Sequence, residues 1–393
     1  MATTVQVPAT LDASRERPAL TEAAVRWAPA RIALALTCGL RVFYGLLAAF
    51  LAPWLQLDPG LIKGNNLTGH LMSRELHPVL YAFLGVWERF DTLWYIQIAH
   101  HGYTTPMATV FYPLYPALIR AAFFVTRSDL AAALLISTLA SFFLFRGALR
   151  LFELDHTPAA ALRAVLLWAV WPASFSFFAG YPDSLLCACI VWSLYFARAS
   201  RWLPAGVLGL AAGFTKVLGC FLALPFLWIA WKRKDRRGIA AAVLSVAGVA
   251  GFQAWLALTD FASTAQTYHT YWATSTAAPW TTLLQAVSIT IRTGNRLLLM
   301  NLTVFVAVAL ATLMRDVRFE YKLFTVAALC LFLTKHTQPL LQSTTRYSLS
   351  IFAAWPVLSA KLGSGLPFAV IAMLAFILNL LLFWTFLSWG LAV

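Results

Sequence analysis

Long apolar runs separated by short basic stretches dominate the chain, and helix period fits them better than strand alternation. A bilayer core of about 30 Å needs roughly 20 apolar residues per helix. Runs near that length begin at Arg31–Leu51 and continue with Leu130–Phe152, Ala160–Ala179, Asp183–Ala199, Leu203–Thr215 and Val217–Trp231. Ile239–Leu258, Arg296–Leu313, Lys322–Leu333, Tyr347–Ala360 and Pro367–Gly390 complete the series. The pattern predicts an all-α polytopic membrane protein with about eleven helices. Residues 1–29 are polar, lack the apolar core of a signal peptide, and read as a disordered cytoplasmic tail. The remainder, 30–393, reads as a single transmembrane domain without an internal repeat.

Composition agrees with lipid as part of the solvent. Of 393 residues, 61% are hydrophobic and only 11% charged, whereas a soluble domain is about a quarter charged. The net charge of +14 comes from 29 Lys and Arg against 15 Asp and Glu. Its densest cluster, WKRKDRRG at 231–238, has no interleaved aromatic platform for bases. It suits the cytoplasmic end of a membrane helix, and nucleic acid is not expected as a partner.

Lys and Arg in short loops orient the chain. Arg15, Arg17, Arg26 and Arg31 place the N-terminus inside. The mixed segment 52–127 then forms a large first extracytoplasmic loop. Within it the piece Phe111–Val125, with Pro113 and Pro116, reads as an interfacial helix. Arg146, Arg150, Arg163, Arg198, Arg201, the 232–237 cluster and Arg315–Lys322 fall inside; Gly180–Asp183, Lys216, 259–290 and Lys335–Arg346 fall outside.

Few residues can carry chemistry. The acids expected outside are Asp58, Glu75, Glu88, Asp91, Asp129, Asp183 and Asp260. Asp91 stands among Trp87, Phe90, Trp94 and Tyr95. An acid set among aromatics at a membrane surface loses hydration, which suits a base, though a solvated acid in an interfacial aromatic belt gives the same pattern. Asp183 opens a helix after FFAGYP, where the helix dipole alone would favour an acid. Lys216, in GLAAGFTKVLG, and Arg41, midway along the first helix, are costly inside a membrane. Each needs a partner, with a lipid phosphate as one candidate; Lys216 could also snorkel to the headgroups. Arg346 follows QSTT and can pair with a phosphate or an acid. Gly209 and Gly213, four apart, suit close helix packing. The five cysteines lie in apolar runs without zinc spacing, the seven histidines include no HExxH, and Asn66-Leu67-Thr68 matches a glycosylation tripeptide that also arises by chance. No metal or other cofactor is expected.

RFDTLWYIQIAHHGY at 89–103, followed by VFYPLYPALIR at 110–120, resembles the first-loop signature of the Gpi18/PIG-V-like mannosyltransferases. FSFFAGYPDSLL, RWLPAGVLGLAAGFTKVLGCFLALPFLW and STTRYSLSIFAAWPVL resemble later segments of that family, in the same order over about 85–356. Phe90 replaces the usual Trp, Thr92 a common Ser, Asp183 a Glu and Lys216 an Arg, so the charges are kept.

The resemblance implies a bacterial-type GT-C membrane glycosyltransferase acting at the extracytoplasmic face of an inner membrane. It implies transfer of a hexose, expected to be mannose, from a polyprenyl-phosphate sugar to a lipid-linked or glycan acceptor hydroxyl, with inversion. Asp91 would be the catalytic base and Asp183 a supporting acid. Lys216, Arg346 and Arg41 would bind the donor phosphate, and Arg89, Trp87, Trp94 and Tyr95 would form the substrate platform. A lipid transporter or flippase is the alternative, but such folds commonly show repeats.

Overall fold

The computed structural model describes residues 22–55, 67 and 71–390. Helix α1 (Glu22–Leu51) begins within the segment expected to be a disordered tail; residues 1–21 lie outside the described residues. So do the DPG and KGNN turns at 58–60 and 63–66, Asp58, His70, and Asn66 and Thr68 of the glycosylation tripeptide. The described part of the first loop is largely helical: α2 (Pro78–Phe83), α3 (Asp91–His101) and α4 (Leu114–Thr126).

The bundle continues with α5 (Asp129–Phe152), α6 (Pro158–Ala169), α7 (Asp183–Arg198), α8 (Trp202–Thr215), α9 (Ala223–Arg233) and α10 (Arg237–Leu258). Side chains set several starts: Ser128 accepts from the Ala131 N–H, and Thr157 from that of Ala160 with Pro158 behind it. The expected helix 160–179 stops at Ala169. Pro172 cannot continue it and pushes Trp171 out of helical geometry, so the chain turns through 174–177 towards Asp183. The run expected from Val217 opens as a tight 3₁₀ turn before α9.

The expected outer segment 259–290 is structured. It holds α11 (Thr264–Tyr271), opened by a reciprocal Ser263–Gln266 capping box, then β1 (Thr274–Thr276) and the start of α12 (Pro279–Thr293). Next come α13 (Arg296–Leu313), α14 (Phe319–Thr334) and β2 (Lys335–Thr337). β2 pairs antiparallel with β1, Ser275 opposite His336, a pairing that an all-helical reading does not anticipate. The single helix expected over 347–360 is two, α15 (Thr344–Ser348) and α16 (Ala354–Leu362); α17 (Leu366–Leu387) closes the described chain.

The fold is that of an all-α polytopic membrane protein. Among the described residues, five helices are long and apolar enough to cross a bilayer: Ala28–Trp54, which extends α1, together with α5, α10, α13 and α17. Shorter helices pack among them, α7 against α5 and α8, and α8 against α10. Gly213 and Gly248 sit where α8 and α10 touch. A Cβ on Gly213 would lie 2.7 Å from the Ser245 carbonyl oxygen, and one on Gly248 2.5 Å from that of Leu210. The backbones approach that closely because neither residue has a side chain.

The two ends of the bundle differ. Asp183 and Arg198 open and close α7, roughly 22 Å apart at helical rise. Asp155, Arg198, Arg318 and Glu320 meet at one end, joining loops expected on the cytoplasmic side. Asp91, Asp183, Lys216 and Arg346 meet at the other.

Candidate active site

Asp91 is the first residue of α3. Phe90 before it takes φ 47°, a left-handed value unusual for a bulky residue. Its ring packs on Trp389 and Phe386, at centroid distances of 5.2 and 6.0 Å. Packing of that kind can hold a turn costing about 1–3 kcal/mol, and such strain clusters at functional sites. Asp183 arrives on the facing loop. Gly180 lies against Thr92 so closely that a Cβ there would be 2.5 Å from the threonine methyl. Glycine at 180 thus lets the two acid-bearing turns pack together.

Arg346, from the short helix α15, joins the acids. Its Nη2 is 2.8 Å from Asp91 Oδ2 and its Nε 3.6 Å from Asp183 Oδ2. Lys216 follows α8 in extended conformation and donates to Asp183 Oδ1 at 2.6 Å. The result is a chain of alternating charge, Asp91–Arg346–Asp183–Lys216. The Arg346 guanidinium also lies over the Tyr181 and Tyr347 rings, at 4.7 and 5.3 Å.

The two acids are not equivalent. The Asp183 side chain is 6% exposed, with a cation on each carboxylate oxygen. The Asp91 side chain is 24% exposed and faces a cavity of about 520 Å³. Asp91 is therefore the carboxylate that an incoming group can reach.

That cavity gathers Asp91, Tyr95, Asp183, Lys216 and Arg346, and adds Tyr268, Lys335 and Tyr347. Lys335 Nζ sits 4.2 Å from the Tyr268 ring centroid and 5.5 Å from that of Tyr347, with no carboxylate partner among the described residues. Among the described lining residues, three cations, Lys216, Lys335 and Arg346, face two carboxylates, Asp91 and Asp183. The cavity carries surplus positive charge, located at Lys335. Sequence reasoning missed Lys335. The available signal was a lysine ending an apolar run in the same outer segment as Arg346.

Other candidates lie elsewhere. Trp87 is fully buried against Phe383 and Phe386, with the Arg41 guanidinium 5.0 Å from its ring centre. Arg41 donates to the Phe178 carbonyl at 2.8 Å and steadies the loop that leads to Asp183. Arg89, 1% exposed, donates to the carbonyls of Leu387, Gly85 and Glu88 and to the Tyr81 hydroxyl. It ties the turn before Asp91 to the end of α17. These three residues do not line the cavity; they brace the segments carrying the acids. The described contacts of Trp87, Arg89 and Arg41 are with protein groups outside the cavity. Trp94 is buried one layer behind the wall, stacked on Phe111, which does line the cavity. Among the described residues, no group of three or more His, Cys, Asp and Glu is placed to hold a metal ion.

A membrane-embedded helical bundle with carboxylates and surplus positive charge in one cavity suits transfer of a group from an anionic carrier. The model of glycosyltransferase family 87 matches residues 102–343, more than half of the chain. The chain belongs to that family, and so to the GT-C-type membrane glycosyltransferases. The match includes Asp183, Lys216 and Lys335, while Asp91 and Arg346 lie just outside its limits. No curated protein matches the chain, and no solved structure does.

Proposed function

We propose that the chain transfers a hexose, mannose by the likeness of its motifs to the Gpi18/PIG-V-like enzymes, from a polyprenyl-phosphate sugar to an acceptor hydroxyl on a lipid-linked sugar or glycan. The reaction takes place at the extracytoplasmic face of a bacterial inner membrane. The basic loops support that orientation, because they gather at the end opposite the cavity.

The acceptor oxygen attacks the anomeric carbon while the bond from that carbon to the phosphate oxygen breaks on the opposite face. The acceptor proton passes to Asp91, and polyprenyl phosphate leaves with the bonding electron pair. One displacement inverts the anomeric centre. A retaining route needs a carboxylate nucleophile as well as an acid–base group, and Asp183 is held by Lys216 and Arg346. Asp183 instead positions these cations. Lys335 meets the charge that grows on the departing phosphate, an electrostatic role for which a cation fixed in a low-dielectric site is effective.

The observation that carries the reading is the reach of Asp91 into a cavity with one surplus cation. A donor phosphodiester brings one negative charge and neutralises that surplus. Asp91→Asn tests the base. Asn keeps the shape but accepts no proton, so kcat should fall by about 10²-fold or more with donor binding retained. The assay uses purified chain in nanodiscs, radiolabelled polyprenyl-phosphate mannose and an acceptor extract. Retention of more than about a tenth of the transfer would refute Asp91 as base.

A further inference from the structure

The densest basic stretch of the chain takes no part in the proposed reaction. It closes α9 and opens α10 at the end away from the cavity, where Arg233 donates to the Ser200 hydroxyl and the Ala197 carbonyl beside Arg198. Residues 232–237 carry five cations, Lys232, Arg233, Lys234, Arg236 and Arg237, and one acid, Asp235. Asp235 is taken by Arg237 and the Trp202 indole. Among the described residues, Lys232, Lys234 and Arg236 have no carboxylate partner, and all three are exposed.

Two observations say what covers them. Arg237 is the first residue of α10, a helix long and apolar enough to cross a bilayer, so the stretch lies where hydrocarbon gives way to headgroups. Aromatic rings stand beside it: Trp231 is 65% exposed, and Phe319, at the start of α14, 49%. Trp228 joins them, with its ring centre 5.1 Å from that of Trp231 and 4.4 Å from that of Phe319. Lys232 Nζ sits 5.0 Å from the Trp228 ring centre and 4.9 Å from that of Trp231. Ring faces hold an ammonium by its charge and leave N–H donors for another partner. Leu224, Leu227 and Trp231, spaced three and four apart, form one exposed stripe along α9.

The surface joins an apolar stripe to a group of unpaired cations. An acidic phospholipid complements both, with acyl chains and a phosphate. An acidic peptide or a nucleic acid would meet the cations and leave the stripe uncovered. A zwitterionic lipid would cover the stripe and bring no net charge.

We propose that this surface binds an acidic phospholipid of the adjoining leaflet: Lys232, Lys234 and Arg236 meet the headgroup phosphate, and the chains lie along Trp231, Leu227 and Leu224. Native mass spectrometry of the purified chain, titrated in detergent with phosphatidylglycerol or phosphatidylcholine, tests it. Phosphatidylglycerol should bind at concentrations where phosphatidylcholine does not. Lys232→Gln, Lys234→Gln and Arg236→Gln together should weaken its binding about 10-fold or more, because each basic residue at an anionic surface contributes several-fold. Lys232→Gln alone, should the triple change disturb folding, is expected to cost about 5-fold. The same loss of charge at Arg120, Arg292 and Arg296, exposed on α4, α12 and α13, should leave binding unchanged. Trp231→Gln, which keeps every charge, should weaken it through the apolar contact. Equal weakening by the two triple changes, or equal binding of phosphatidylcholine, would overturn the assignment. So would displacement of the lipid by glycerol phosphate or by poly-glutamate, which carry the charge without the chains.

Discussion

Two ionic clusters sit at opposite ends of the same bundle, built from the same residue types and put to different uses. In the basic-loop cluster, Arg198 holds Asp155 through both carboxylate oxygens, and Arg318 bridges Asp155 and Glu320. The two pairs with Asp155 join one loop to another, and the Arg318 side chain is 45% exposed. In the cavity cluster, Arg346 is 6% exposed and reaches two acids, and a third cation, Lys335, has no carboxylate of its own. A cluster in which each cation has a carboxylate fastens loops. One that is desolvated and left with surplus charge is prepared for an anionic ligand.

The contrast gives an order of expected effects. The largest belongs to Arg346→Gln, which strands Asp91 and removes one of the two cations on Asp183. Breaking a buried pair costs about 3–5 kcal/mol, so thermal unfolding of the purified chain should shift clearly downward and transfer should be lost. An unaltered unfolding temperature would show that the alternating chain is not held as described.

Lys335→Met comes next. Losing one charge-assisted hydrogen bond to phosphate corresponds to about 1.5–3 kcal/mol, or roughly 10- to 100-fold in donor KM. Lys335→Arg should recover most of it. The fold should be little affected, because Lys335 leaves no acid unpaired. A donor KM unchanged in Lys335→Met would move the phosphate site elsewhere in the cavity.

The smallest effects belong to the opposite end. Arg318→Ala should lower the unfolding temperature less than Arg346→Gln does, because Arg318 itself is 45% exposed, and leave both KM values alone. Asp235, in the turn between α9 and α10, accepts from Arg237 and from the Trp202 indole, and the Arg237 bond is the main cause that draws its carboxyl down to about 2. A lowered carboxyl stabilises the fold above its ordinary range and loses that contribution as pH falls towards 2. The expected sign is a slight fall in unfolding temperature over that window, absent in Asp235→Asn; a fall on raising pH would contradict it.

The apolar runs fixed the helices because hydrocarbon leaves the backbone no partner but itself. The Lys and Arg distribution anticipated which loops gather at one end, and the aromatic context of Asp91 marked the acid that the cavity exposes. The four-residue spacing of Gly209 and Gly213 foretold a close helix contact, found between α8 and α10. These features are local: each is written within one segment and follows from its own hydration or shape.

What sequence could not decide was pairing between distant segments. Arg41, a charge midway along a membrane helix, and Arg89 and Trp87, close to Asp91 in sequence, carry the marks of site residues. Only packing shows that their partners are Phe178, Leu387 and Phe383, far along the chain. Lys216 needed a partner and Arg346 could pair with a phosphate or an acid, and only the fold places Asp183 between them. Lys335 stands out by subtraction, as the cation whose neighbours in space are tyrosine rings and not carboxylates. Burial, partner and net charge of a cavity are sums over residues brought from many segments. Sequence therefore determined the solvent, the helices and the candidate acids, while tertiary structure alone decided which charges cancel and which one remains to meet a ligand.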